Sequence, residues 1–335
     1  MLIPPKKTER KTTALDPVKI DLQTYKIDLG RQDIKQDVCI TIQQKTVLTL
    51  GSLAILTGKP KARKTSFLHA FLSSAIIKQS IWTIDVQLPP ERPQIALIDT
   101  EQSLFDLFTS LARLSAMTGI KLTDLKNFFV YSARAADVVQ IMELISTICE
   151  QNPKISLIAI DGIIDLVNDI NDVREAKNAI NFLKKICDTY NVAIIGIIHQ
   201  NKGTNYSLGH LGSFASRFAQ SEFSIEKNED NTSTLKATFL RSADDIQPIN
   251  IGYDERNNCY DILENINNNN FKIDINLTEK IFAGAVGLTY KNLVSKIKIE
   301  TGLNNYQVEK KIIPVMYAEK LIHKVGQLIQ IYRLP

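Results

Sequence analysis

LAILTGKPKARKTSFLHAFLSSAI, running from Leu53 to Ile76, decides how the rest of the chain is read. An apolar, β-branched run ends at Gly58. A loop rich in Lys and Arg follows, and Lys64-Thr65 opens an amphipathic helical segment. This is the strand, loop and helix order of a phosphate-binding loop. Backbone N–H groups at the helix N-terminus face the phosphates there, and the helix dipole favours their negative charge. The expected nucleotide-binding residues are Gly58, Lys59, Pro60, Lys61, Ala62, Arg63, Lys64, Thr65 and Ser66. Lys64 is expected to reach the β- and γ-phosphates of ATP, and the Thr65 hydroxyl to ligate Mg²⁺. One position departs from the G-x-x-x-x-G-K-[ST] pattern: Arg63 stands at the second Gly, so the loop is expected to be held without a left-handed glycine there.

Around this loop the composition is that of a globular protein. A chain of 335 residues has room for one sizeable core and an accessory module. No apolar run approaches the roughly 20 residues that span a bilayer, so no membrane partner is expected. The polar start MLIPPKKTERKTTALD has no apolar signal core, and a cytoplasmic location is expected. Cys39, Cys149, Cys187 and Cys259 show no C-x-x-C spacing and read as ordinary thiols. The net charge is +4, but residues 271–335 hold 10 Lys and Arg against 5 Asp and Glu, which leaves −1 for everything before them. That asymmetry points to a nucleic-acid surface near the C-terminus.

Four parts are expected: a polar arm over 1–35, an ATPase domain over 36–264, an Asn-rich linker over 265–270, and a small domain over 271–335. From about 36 to 262, β-branched runs alternate with helical spacing, the signature of a mainly parallel α/β sheet flanked by helices. Strands are expected near 51–57, 94–99, 127–131, 155–161 and 192–198, and helices near 65–79, 103–118, 136–151 and 173–190. SEFSIEK, TLKATFL and INIGY then read as an antiparallel extension of the same sheet. In the last part YKNLVSKIKIETG predicts a helix ending at Gly302. NYQVEKKIIPVMYAEKLI predicts a second helix that Pro314 ends or kinks, and two strands follow around Gly326. Helix, turn, helix and hairpin is a winged-helix-like order.

Four further motifs carry chemistry. QIALIDTEQS ends a strand in Asp99-Thr100-Glu101, where ligands bind in open α/β sheets. Glu101 either polarises an attacking water or caps the helix that follows. ISLIAIDGIIDL ends in Asp161, a candidate Mg²⁺ residue. VAIIGIIHQNKG ends in His199-Gln200, where a side chain can touch the γ-phosphate and move when it leaves. TLKATFLRSADD places Arg241 at a strand end, as a guanidinium for a neighbouring subunit's γ-phosphate or as a solvated residue paired with Asp244 or Asp245.

Taken in order, GKPKARKT, LIDTE, LIAID, IIHQNKG, GHLGSFASRFAQSEFSIEK and FLRSADD resemble the RecA-like ATPases. They are most similar to the RepA and DnaB branch of hexameric replicative helicases, as carried by plasmids and mobile elements. The resemblance covers roughly residues 40–262. It implies a catalytic role for Glu101 beside Lys64, a γ-phosphate sensor in His199 and an arginine finger acting across a subunit boundary in Arg241. It also implies a homo-oligomer, as a hexameric ring. Phe239 stands two before Arg241, where DnaB-type proteins often carry a second basic finger.

The loops lining the channel of such rings correspond to Asp165–Arg174 and Asn201–Gly212. The first is acidic; the second offers Lys202 and His210 with Asn201, Asn205 and Tyr206 as a single-strand tracker. Lys310 and Lys311 are the candidate phosphate contacts of the C-terminal unit. The function expected is an ATP-dependent oligomeric motor, helicase or helicase loader acting on single-stranded DNA, with duplex contact at the C-terminal domain. The alternatives are a winged-helix regulator whose slow ATPase core switches oligomeric state, and a RecA-like core acting on protein.

Overall fold

The computed structural model describes residues 22–30, 37–200, 209–255, 257–262, 275–301 and 308–331. The chain divides into two units, Met1–Gln36 and Asp37–Pro335. In the first, the described residues form one helical turn, α1 (Leu22–Tyr25), and a bend in which Gly30 N–H donates to Asp28 Oδ1 at 2.9 Å.

The second unit is built on a nine-stranded sheet. Its strands in chain order are β3 (Leu53–Gly58), β5 (Gln94–Asp99), β6 (Phe128–Ser132), β7 (Ile155–Asp161), β8 (Ala193–His199), β9 (Ser221–Lys227), β10 (Ser233–Leu240), β11 (Ile249–Asp254) and β12 (Cys259–Ile262). Across the sheet they run β12-β11-β10-β9-β3-β8-β7-β5-β6. The strands from β3 to β6 pair in parallel. They read as unbroken apolar runs because both faces are covered. SEFSIEK departs from the expected antiparallel extension: β9 pairs in parallel with β3, and only β10, β11 and β12 are antiparallel. A smaller sheet, β1 (Val38–Ile42), β2 (Lys45–Thr49) and β4 (Ile84–Val86), stands in the order β2-β1-β4. Its strands are too short to carry a period that sequence reading detects.

Alternate strand residues divide two cores. Leu56, Leu97 and Ile195 face α2 (Lys64–Ile77) and α3 (Leu104–Thr118), packing with Phe67, Phe71 and Leu111. Ile55, Ile98 and Ile160 face α4 (Val138–Gln151), α5 (Val173–Tyr190) and α6 (Gly209–Phe218). Each large side chain so buried contributes roughly 1.5–3 kcal/mol. The helix starts follow local chemistry. Ser103 Oγ accepts from Asp106 N, Asp137 and Gln140 form a capping box, and Asp172 accepts from Arg174 N and Glu175 N. α2 is different: it has no side-chain cap, and it is buried from Phe67 to Ala75 without a break.

At the C-terminal end, α7 (Ile275–Ile281), α8 (Tyr290–Thr301), a π-helical segment over Val308–Ile312, α9 (Ile313–Ala318) and the hairpin β13 (Ile322–Val325)–β14 (Leu328–Ile331) share a separate core. α7 was not expected. Pro314 does not end a helix; it lies in the first turn of α9, where its missing N–H costs nothing. Gly326 turns the hairpin at φ 62°. The Asn-rich linker lies outside the described residues. No described helix is long and apolar enough to cross a membrane, and all four cysteines are buried and free.

Candidate nucleotide site

The parallel strands bring the motif residues to one end of the sheet. Gly58 on β3 pairs with His199 on β8, and Asp99 on β5 pairs with Asp161 on β7. Strand β8 lies between the phosphate-loop strand and the Asp161 strand. A cavity of about 850 Å³ opens there, lined by Lys64, Thr65, Glu101, Asp161 and His199 among others. Ligands bind in open α/β sheets at this end of the strands.

Lys64 folds back over its own loop. Its Nζ donates to Gly58 O at 3.0 Å and Lys59 O at 3.1 Å, and lies 3.1 Å from His199 Nδ1. An ammonium can only donate, so Nδ1 accepts and Nε2 carries the His199 proton. That nitrogen faces Glu101, at 2.9 Å from Oε1 and 3.1 Å from Oε2. Lysine, histidine and glutamate therefore form one chain across the cavity. The His199 hydrogen bond, with the Lys64 charge behind it, holds the Glu101 carboxyl below its ordinary range against burial, which pushes it up. Burial lowers Lys64, and the charges of Glu101 and Asp161 oppose that shift.

Beneath this chain Thr65 Oγ1 donates to Asp161 Oδ2 at 2.7 Å. Burial drives the Asp161 carboxyl up to about 7; the Thr65 bond opposes this, while Asp99 and Glu101 add to it. Asp99 is raised too, by burial first, although it accepts from Glu101 N at 3.2 Å and Gln102 N at 2.7 Å. These bonds set the turn that aims Glu101 into the cavity. Ser103, not Glu101, caps α3, so of the two readings of Glu101 helix capping is the one the geometry excludes. Gly162 leaves room for it: a Cβ there would lie 2.5 Å from Glu101 Oε1, and the carboxylate would have to shift from its place beside His199.

The donor set fits Mg-ATP. A hydroxyl and a carboxylate already in contact are hard oxygen ligands of the kind Mg²⁺ takes beside phosphate oxygens. The loop Gly58–Ser66 runs into the N-terminus of α2 without a side-chain cap; Ser66 N–H donates to Arg63 O at 3.1 Å, and the Lys64 and Thr65 N–H groups at the helix start are the ones placed for an anion.

Arg63 holds the loop without a glycine. It takes the left-handed conformation that glycine normally supplies, at φ 72° and ψ 33°. For a residue with a Cβ this costs roughly 1–2 kcal/mol. Its guanidinium is held by Asn231 Oδ1 at 2.8 Å, Tyr260 Oη at 3.1 Å and Ser233 Oγ at 3.2 Å, and lies 4.9 Å from the Tyr260 ring centroid.

Sequence reading missed several residues. Thr100 Oγ1 donates to Asp165 Oδ2 at 2.6 Å, tying the Glu101 turn to the segment after Asp161. His69, Arg113, Arg134 and Tyr260 also line the cavity. Thr100 was legible as the middle of DTE. Tyr260 comes from a strand about 200 positions after the loop, and no local signal announces it.

Arg241 is not among the residues that line this cavity. It follows β10 at the opposite end of the sheet, beside a cavity of about 410 Å³ that Lys184 and Arg217 also line. Its Nε donates to Ala219 O at 2.7 Å, one Nη donates to Arg217 O, and the guanidinium stacks near Phe239. It thus closes the C-terminal end of α6, and its guanidinium bonds go to those carbonyls and not to Asp244 or Asp245. His210 lies exposed in the first turn of α6 and donates its backbone N–H to Ile170 O at 2.9 Å. Gly209 before it has φ 61°, and a Cβ there would meet that same carbonyl at 2.5 Å. Lys202, with Asn201, Asn205 and Tyr206, lies outside the described residues, as do the side chains of Lys310 and Lys311.

No curated protein matches the chain. Residues 42–205 match a protein-family model described as an AAA domain; that is 164 of the 335 residues, just under half of the chain. With the phosphate loop, Thr65–Asp161 and Glu101–His199 gathered at the ends of parallel strands, this segment is similar to AAA domains, and the likeness supports a P-loop ATPase.

Proposed function

We propose that the protein is a cytoplasmic, oligomeric ATP-driven motor or helicase-loader-like ATPase acting on single-stranded DNA in replication or mobilisation of a mobile element. The observation that carries the ATPase half is the Lys64–His199–Glu101 chain directly above Thr65 and Asp161. Entry of a triphosphate gives the Lys64 ammonium phosphate oxygens in exchange for two carbonyls and an imidazole. His199 then loses the Lys64 donor at Nδ1 and turns toward the γ-phosphate, and Glu101, already ionised, is released to take a proton from water. Thr65 and Asp161 hold Mg²⁺, which when bound neutralises charge developing on the phosphate oxygens.

Arg241 serves as the finger of a neighbouring subunit's site. Its place away from the cavity of its own chain supports action in trans and, with it, a homo-oligomeric ring. The DNA half rests on the motif order of the RepA and DnaB branch, the charge of residues 271–335, and Lys202 and His210 in the loop that follows the sensor strand. The C-terminal order of helices and hairpin supports a winged-helix-like duplex contact through Lys310 and Lys311.

The decisive assay is ATP hydrolysis by the full chain with and without single-stranded DNA. Stimulation that is lost in Lys64→Ala and Glu101→Gln is expected; hydrolysis indifferent to DNA would sink the motor reading. A second reading, a DNA-binding regulator with slow turnover, is favoured by the Arg241 guanidinium being engaged by α6 carbonyls. Duplex footprinting with slow turnover would mark that case.

A further inference from the structure

Arg63 stands where the phosphate-loop pattern has glycine, yet its backbone is left-handed as a glycine's would be. Glycine reaches that region freely; arginine does not, so something outside the loop must hold it there. All three guanidinium nitrogen positions are engaged, each by a different residue: Nε by Tyr260, Nη1 by Ser233 and Nη2 by Asn231. The guanidinium carbon also lies 4.9 Å from the centroid of the Tyr260 ring. Those partners start or flank β10 and sit in β12, strands whose register their own ladders fix. All of them lie beyond residue 205, where the match to the AAA domain ends.

We infer that Arg63 is a positioning residue for the phosphate loop, and that Asn231, Ser233 and Tyr260 anchor it, so that the antiparallel strands complete the nucleotide site. The inference rests on reading Gly58–Ser66 as a phosphate loop. Its physical content is local. Residue 63 directly precedes Lys64, so its backbone torsions aim the N–H groups of Lys64 and Thr65 and set the path of the Lys64 side chain over Gly58 and Lys59. Arginine spread over three acceptors suits the task because its planar fork loses little freedom per bond formed. Leaving the left-handed region would turn the first helical N–H groups away from the anion they serve.

The test titrates Mg-ATP into the full chain by calorimetry, with thermal unfolding of the nucleotide-free protein measured alongside. Arg63→Ala keeps the backbone strain and loses the anchors, and is expected to weaken binding by about tenfold or more. Arg63→Gly relieves the strain and should recover most of that loss. A combined Asn231→Gly, Ser233→Ala and Tyr260→Phe variant keeps Arg63 and its ring contact but removes the three acceptors. Glycine suits position 231 because Asn231 is itself at φ 63°. This variant should bind about as poorly as Arg63→Ala, and adding Arg63→Gly to it should not weaken binding further.

Arg63→Ala binding as wild type does would overturn the inference. So would Arg63→Gly binding as poorly as Arg63→Ala, which would make the guanidinium a phosphate ligand. An anchor variant that loses thermal stability but not affinity would reduce the contacts to structural ones and overturn it as well. A folded wild type that binds no Mg-ATP would overturn the phosphate-loop reading itself, and this inference with it.

Discussion

The two ends of the central sheet are built on opposite principles. At the C-terminal end of the parallel strands, Glu101, Asp161 and Asp99 crowd around Lys64 and His199, each bonded to another member of the site. At the other end, Lys184, Arg217 and Arg241 line a second cavity, and each lies over a phenylalanine: Phe218, Phe214 and Phe239. The first end gathers the phosphate loop, Thr65–Asp161 and Glu101–His199 within one chain. The second gathers three cations with a single carboxylate, Asp188, among the residues that line the cavity with them. A ring joined head to tail would bring these cations to the first end of the next copy, which is the action in trans proposed for Arg241.

The largest expected effect tests that claim directly. Glu101→Gln should lower ATP turnover by roughly 10²- to 10⁴-fold, and Arg241→Ala by roughly 10³- to 10⁵-fold if it stabilises the transferring phosphate. Mixing the two variants should restore measurable turnover, because some interfaces then pair an intact Glu101 site with an intact Arg241. A mixture as inactive as either variant alone would leave Arg241 a helix cap and break the comparison.

The second effect is on stability against pH, and the C-terminal end should carry it. Burial lifts Asp161 from 3.8 to about 7, so the folded state holds that proton more tightly than the unfolded chain does. The stability this gives is full below pH 4 and is lost as pH rises through about 7. His69 is shifted the other way, from 6.5 to about 4, by burial first and then by the Arg113 charge. Its contribution is full above pH 6.5 and is lost as pH falls through about 4. Each slope is worth on the order of 3 to 4 kcal/mol. Denaturant midpoints of nucleotide-free protein should therefore show the Asp161 slope vanish in Asp161→Asn and the His69 slope vanish in His69→Leu. Slopes unchanged in both would place the titration elsewhere. The smallest effect sharpens the geometry of Glu101: Ser103→Ala should cost ~1 kcal/mol of stability through the lost α3 cap. Turnover should stay near wild type, because the Asp99 bonds hold the Glu101 turn.

Much of the first end was legible because its parts are local. The parallel strands β5, β7 and β8 are apolar runs ending in a polar residue and β3 is one ending at Gly58, and a buried parallel strand can look like little else. The span 173–190 for α5 and the span 221–227 for β9 agree with the structure to the residue. What failed was non-local. Whether SEFSIEK pairs parallel or antiparallel depends on its neighbour β3, not on its own letters. Pro314 reads as a helix breaker in any window, yet the π-helical segment before it hands over the chain so that it falls in a first turn.

By itself the sequence determined the fold class, the order of the strands that carry chemistry, and the identity of Lys64, Thr65, Glu101, Asp161 and His199 as a set. Periodicity and strand-end polarity are properties of short windows, and a parallel sheet converts chain order into spatial order with few alternatives. Only the tertiary structure decided how those residues engage one another: that His199 bridges Lys64 and Glu101, that Arg241 closes α6, and that Arg63 is left-handed and anchored by residues 168 to 197 positions away. Hydrogen bonds act over about 3 Å whatever the separation along the chain. A mismatch in one eight-residue motif was therefore resolved by strands that close the far side of the sheet.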